Sequence, residues 1–166
     1  MIEQFFKTYF VRLTSFAYTW VKSEDIAKDI VQDAFIAFVE RQDIIEKPEA
    51  VVKSFLYSTV KNLSLNHIRN NQVRSRINLA IVDNELDETD LLARLINAEM
   101  LGELHQELSR LPESCQHICR LIYLEEMKYD EVAKELNLSL NTVKSQRQRA
   151  LRILRERMLS LLPFIF

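Results

Sequence analysis

Apolar residues recur at every third or fourth position along most of the chain. Phe6, Tyr9, Phe10, Leu13, Phe16, Ala17 and Trp20 keep that rhythm and predict one face of a first helix. Ser23 is placed to cap a second, whose first turn holds Glu24 and Asp25 at the positive end of the dipole. Ile26, Ile30, Ala34, Ala37 and Phe38 supply its expected buried stripe. Pro48 suits the first position of a third helix running to about Asn71, with Phe55, Val60, Leu63 and Ile68 as apolar anchors. Asn70 to Asp90 has mixed polarity and weak periodicity, and reads as a linker. Four more helices follow in the pattern: Asp90 to Leu111, Pro112 to about Glu126, Tyr129 to Leu136, and Leu140 to about Leu159. No repeat of fixed period is evident.

The expected fold class is therefore all-α: two small helical domains joined by a flexible acidic linker. The boundaries read as 1–72, 73–92 and 93–166. Composition agrees. In 166 residues there is a single glycine, Gly102, and three prolines, too few for the tight hairpins of a β-sandwich or a phosphate-cradling loop. Hydrophobic residues make up 48% and charged ones 28%, enough apolar material for a core and too patterned for disorder. Glu3, Lys7 and Arg12 interrupt the start where a signal peptide needs an apolar run, and no stretch approaches the ~20 residues of a membrane span. A soluble, cytoplasmic protein is expected.

The sharpest local pattern lies between Tyr129 and Val143. A helix-turn-helix needs a small residue where its helices touch, a left-handed turn residue four places later, and a buried β-branched residue six further on. Ala133, Asn137 and Val143 hold those places, and Asn is among the few side chains that visit left-handed geometry. Ser139 is expected to cap the second helix. In this motif the N-terminal half of that helix enters the major groove. Asn141, Lys144 and Ser145 are candidates for base edges, Thr142 lies beside them, and Arg149 and Arg152 suit phosphate.

The net charge of −2 conceals alternating blocks. Glu24 to Glu46 holds seven acids against Lys28 and Arg41. Lys53 to Arg76 has five bases and no acid, and Asp83 to Glu107 has eight acids against Arg94. From Lys144 to Arg157 the chain turns basic again, with Glu156 the only acid. Two basic patches flank an acidic middle.

With those pieces in order, nearly the whole chain resembles an extracytoplasmic-function (ECF) RNA polymerase sigma factor. Glu24 to Phe35 (EDIAKDIVQDAF) resembles the family's polymerase-binding segment, and Ser54 to Arg69 its segment for the −10 promoter element. Leu111-Pro112-Glu113, Thr142 to Ser145 and Arg149-Ala150-Leu151 resemble its −35-binding domain. The resemblance implies that Asp29, Gln32 and Asp33 dock on the polymerase clamp helices, an acidic face meeting a basic partner. It implies that Asn62 and Asn66 lie near the melted −10 strand, with Lys61 and Arg69 on phosphate. It further implies core RNA polymerase, promoter DNA and an anti-sigma factor as partners. No catalytic residue, cofactor, metal or small-molecule substrate is implied. The loop from Arg41 to Lys47 corresponds to the family's pocket for a flipped base, without a residue assigned. Arg147 occupies a place usually apolar in the family, and Phe55 one where tryptophan is common. Two DNA turns span about 70 Å, a distance that some twenty linker residues at ~3.4 Å each also reach. The acidity of that stretch points it toward polymerase rather than DNA.

Two other readings fit fewer residues. A stand-alone helix-turn-helix regulator leaves the Asp29 to Asp33 face and the acid-free helix unused. A zinc site at Cys115, His117 and Cys119 fails on geometry, because on one helix His117 points about 200° away from the two cysteines. These cysteines are expected to pack in a core. The apolar end, Leu159 to Phe166, is expected to pack on its own domain or to meet an inhibitory partner.

Overall fold

A computed structural model describes residues 1–75 and 88–161, and every element among them is helical. In order they are α1 (Ile2–Val21), α2 (Glu24–Glu40), α3 (Gln42–Ile45), α4 (Glu49–Ser75), α5 (Glu88–Ser109), α6 (Glu113–Tyr123), α7 (Tyr129–Glu135) and α8 (Leu140–Leu161). Seven follow the sequence pattern within a few residues. The one-turn α3 was expected to be loop, because four residues are too few to show a period. The core of the expected linker and the final apolar residues 162–166 lie outside the described residues.

The chain divides into two units, Met1–Gly102 and Glu103–Phe166. In the first, α1, α2 and α4 enclose Leu13, Phe16, Val31, Phe38, Val52, Leu56 and Val60 without solvent exposure. Aromatic rings meet edge to face there, Phe16 against Tyr57 at 5.1 Å between centroids and Phe35 against Phe38 at 6.4 Å. Lys22 closes α1 in the left-handed conformation, φ 55°, its N–H donating to the Tyr18 carbonyl at 3.0 Å. Ser23 stands at the start of α2 with extended backbone, but its side chain makes no capping bond, contrary to expectation. The Ser23 carbonyl, which accepts from Ala27 N–H at 3.0 Å, starts the helix instead.

The buried stripes differ in detail from the expected ones. On α2, Ala27, Val31 and Phe35 join Ile30, Ala34 and Phe38 in the interior, whereas Ile26 and Ala37 are half-buried. On α4 the stripe is Val52, Leu56, Tyr57, Val60 and Ser64, and of the four expected anchors Val60 alone is fully enclosed. Both helices pack on two neighbours at once, so their apolar sectors are wider than one helical stripe. Residues 88–102 of α5 also belong with this unit, since Leu91, Leu95 and Ala98 pack on its core. The sequence reading placed residues 93–102 with the second domain. It did so because α5 is one unbroken helix carrying two apolar sets that serve different cores.

The second unit has two small clusters. Leu111, Cys115, Cys119, Ala150 and Leu154 form one with Leu104, Leu108 and Ile153. Ile118, Leu121, Val132 and Val143 form the other. The turn between α7 and α8 has the expected chemistry. Asn137 is left-handed at φ 51°, Leu138 N–H donates to the Ala133 carbonyl at 2.9 Å, and Thr142 N–H donates to Ser139 Oγ at 3.1 Å. Glu107 is enclosed in this unit between Arg110 at 2.6 Å and Arg157 at 3.0 Å. Burial pushes its carboxyl up, but hydrogen bonds and charge from the two arginines outweigh that and hold it below the usual range.

Candidate nucleic-acid and polymerase interfaces

Three exposed surfaces carry the residues singled out from the sequence. On α2, Asp29, Gln32 and Asp33 project into solvent together, as spacings of three and four require. Ile36 extends the same face and is 58% exposed, with Val39 exposed one turn further on, so the acidic patch carries an apolar edge. Its spacing was the available signal: it stands seven places after Asp29 and three and four after Asp33 and Gln32, on the face opposite the apolar stripe.

On α4 the outward stripe is Ser54, Ser58, Asn62, Asn66 and Arg69, all exposed, with Lys61 half-buried beside it. The structure brings Asn62, Asn66 and Arg69 onto one line and leaves Lys61 about 100° round the helix from Asn62. His67 Nε2 and Asn71 Nδ2 lie 2.8 Å apart at the far end of that helix. At its near end the Arg41 guanidinium sits 5.7 Å from the Phe55 ring centre while gripping Asp43 through two bonds of 2.8 and 2.9 Å. The hydrogen bonds to Arg41 hold the exposed Asp43 carboxyl below its usual range.

In the second unit, Val143 and Ala150 of α8 point inward, and Asn141, Lys144, Ser145, Arg149 and Arg152 point outward. Gln148 lies on this exposed face, three places after Ser145 and four after Lys144, and was not among the candidates. Thr142 and Ser145 already carry local roles. The Thr142 hydroxyl lies 2.8 Å from Ser139 Oγ, and the Ser145 hydroxyl donates to the Thr142 carbonyl at 3.0 Å.

Arg147 leaves the apolar line of α8 sideways. Its Nε donates to the Tyr123 hydroxyl at 2.8 Å, and its guanidinium lies 5.6 and 5.9 Å from the Tyr123 and Tyr129 ring centres. Two tyrosines thus accommodate a cation where an apolar residue is usual. Cys115 and Cys119 are enclosed and His117 is exposed, so the three do not converge. The Cys115 thiol donates to Gln146 Oε1 at 3.2 Å, and burial, followed by Cys115 itself, pushes the Cys119 thiol up.

These surfaces fall inside two matched segments: residues 5–74 match sigma-70 region 2, and residues 101–154 match sigma-70, region 4. The chain belongs to the sigma-70 family of RNA polymerase sigma factors. Its division after Gly102 falls within two residues of where the region 4 match begins. It is 28% identical to RNA polymerase sigma factor SigV of Bacillus subtilis over 139 residues, which cover 84% of this chain and 80% of that protein. It is 23% identical to RNA polymerase sigma factor YlaC of the same organism over 155 residues, covering 90% of this chain and 87% of that protein. The two-region build is that of an ECF sigma factor, a regulator that recognises promoters and starts transcription with core RNA polymerase. None of its described helices is long and apolar enough to cross a membrane.

Proposed function

We propose that each exposed surface of this sigma factor serves one partner. Asp29, Gln32 and Asp33, with Ile36 among them, dock on the core polymerase. Exposed Ile36 and Val39 beside Asp33 and Glu40 suit a basic helical partner, because charge steers the encounter and the buried methyls hold it. Asn62 and Asn66 read the opened −10 strand, with Arg69 and Lys61 on its phosphates; amides have the donors and acceptors that unpaired base edges present. Asn141, Lys144, Ser145 and Gln148 face base edges of the −35 duplex, while Arg149 and Arg152 hold phosphate. Thr142 acts mainly in capping α8, as its bonds to Ser139 favour. The observation that carries this reading is the alignment of Asp29, Gln32 and Asp33 on one face of α2, exposed and free of the helix's own core.

The protein works in the cytoplasm, where its polymerase is, and an anti-sigma factor holds it inactive by covering the polymerase-docking face. Asp29→Arg with Asp33→Arg tests the first assignment. Copurification with core polymerase is expected to fall at least about a hundredfold, since two charge reversals each cost a few kcal/mol against a basic partner. Undiminished copurification removes the docking face. Lys144→Ala with Arg149→Ala is expected to spare copurification and abolish protection of the −35 element in footprints. Loss of both activities together counts against separate surfaces.

A further inference from the structure

Helix α8 is seated by small apolar side chains at two places and fastened between them by polar ones. Val143 enters the cluster of Ile118, Leu121 and Val132, and Ala150 the cluster of Leu111, Cys115 and Cys119. Two turns separate them. The stretch between presents half-buried Gln146 and Arg147, about 100° apart round the helix, and each is held from a different side. Gln146 Oε1 accepts from the Cys115 thiol at 3.2 Å and from the Ser114 hydroxyl at 3.5 Å, both on α6. Arg147 Nε donates to the Tyr123 hydroxyl at 2.8 Å, and its guanidinium lies against the rings of Tyr123 and Tyr129.

Those rings stand on a fixed support. Tyr123 is the last residue of α6 and Tyr129 the first of α7. Between them the chain folds back on α6: Leu124 N–H donates to the Arg120 carbonyl at 2.9 Å and Met127 N–H to the Leu121 carbonyl at 3.0 Å, with Glu126 left-handed at φ 54°. The Glu131 carboxylate then accepts from Lys128 N–H at 2.7 Å and fixes the start of α7. One guanidinium therefore meets two helix ends at once.

A valine and an alanine seat a helix against its neighbours, but contacts so small and non-directional specify its rotation about its own axis only weakly. A hydrogen bond and a planar cation on a ring are directional, and one fastening on each flank fixes that rotation. For α8 the rotation matters because Lys144, Ser145 and Gln148 stand within one turn of Arg147 and project from the outward face. A roll of about 15° moves a side-chain tip at the helix surface by about 1.5 Å, enough to break a hydrogen bond to a base edge.

We propose that Arg147, held by Tyr123 and Tyr129, is a positioning residue that sets the roll of α8 and thereby which −35 base pairs the protein accepts. The proposal rests on assigning α8 to the −35 duplex. Its test uses holoenzyme assembled from the full chain and core polymerase, and reads affinity for a promoter duplex that it transcribes relative to the same duplex with single −35 base pairs replaced. Arg147→Ala introduces the best helix former and is expected to lower that ratio at least about fivefold, while affinity for a duplex without a −35 match changes less than about twofold. Arg147→Lys keeps the charge without the planar fork and is expected to behave like Arg147→Ala. Tyr123→Phe keeps the ring and removes the hydroxyl alone, with an expected loss of about two- to threefold. Combined with Arg147→Ala it is expected to add nothing, because both remove one interaction.

Far-UV circular dichroism and thiol protection of Cys115 and Cys119 at wild-type level show that the unit stays folded in each variant. If Arg147→Ala loses that protection, Tyr123→Phe decides alone, and unchanged discrimination overturns the proposal. It is also overturned if Arg147→Lys keeps wild-type selectivity, or if Arg147→Ala weakens matched and unmatched duplexes alike, since either makes Arg147 a charge acting on phosphate. A wild-type holoenzyme with no −35 preference sinks the assignment of α8 and the positioning with it, whereas a discriminating wild type beside equally discriminating variants sinks the positioning alone.

Discussion

The two units each present a helix suited to nucleic acid, yet they build it differently. In the first, α4 is backed by a continuous aromatic core and shows solvent a nearly uncharged line of Ser54, Ser58, Asn62 and Asn66, ending in Arg69. In the second, α8 is backed by two small clusters and shows solvent Lys144, Arg149 and Arg152. The difference suits the two tasks proposed for them, an opened strand for α4 and an intact duplex for α8. A duplex must be found and held from outside, which favours cations on phosphate; an opened strand is delivered by the polymerase, and unpaired bases offer amide-sized donors and acceptors.

The two units also carry separate natural probes, which makes the comparison breakable. Trp20 is the single tryptophan and lies in the first unit; Cys115 and Cys119 are the two cysteines and lie in the second. Leu56→Ala is expected to have the largest effect, about 2–5 kcal/mol for a fully enclosed leucine. Trp20 emission should then report unfolding at much lower denaturant while the cysteines stay protected from thiol reagents. If both probes move together, the units unfold as one and the contrast drawn above fails.

Glu107→Gln comes next and should act on the second unit alone, speeding thiol labelling. Losing a carboxylate between two arginines costs about 1–3 kcal/mol here, below the figure for a fully buried pair because both arginines are partly exposed. The pH dependence has a definite sign. Glu107 has a depressed folded pKa, so its contribution is complete above the ordinary value near 4.5 and is lost as pH falls through the lower folded value. The second unit of wild type should therefore unfold at lower denaturant, followed by far-UV circular dichroism, as pH falls through the folded pKa of Glu107, and the Gln variant should lack that component. A smaller effect is expected from Ser139→Ala, about 1 kcal/mol, through the lost cap of α8. It should weaken the second unit by thiol labelling and leave the Trp20 transition in place.

The helices and the helix-turn-helix were legible because their signals are local: period, caps, and a left-handed Asn137 followed by buried Val143. Three features were not. The stripe on α4 was misjudged because Val52, Leu56 and Tyr57 face two neighbours, which a single helical period does not encode. The division after Gly102 escaped because an unbroken helix hides a change of core, and the clue was Gly102 itself, whose missing side chain makes room for Arg12. Arg147 looked misplaced because its partners, Tyr123 and Tyr129, come from other elements. Ser23 carries the opposite lesson: the right residue type stood at a helix start, and the bond it promised is not made.

The clasp around Arg147 changes how the basic C-terminal block should be counted. Six cations lie between Lys144 and Arg157, but the ring pair of Tyr123 and Tyr129 engages Arg147 and Glu107 engages Arg157. That leaves Lys144, Arg149, Arg152 and Arg155 exposed outside those contacts and, on the proposed assignment of α8 to duplex DNA, close enough to the backbone to displace counterions. Binding of −35 duplex should thus lose affinity with a log–log salt slope of about −3 to −4, shallower than the roughly −5 that the raw tally of charges suggests.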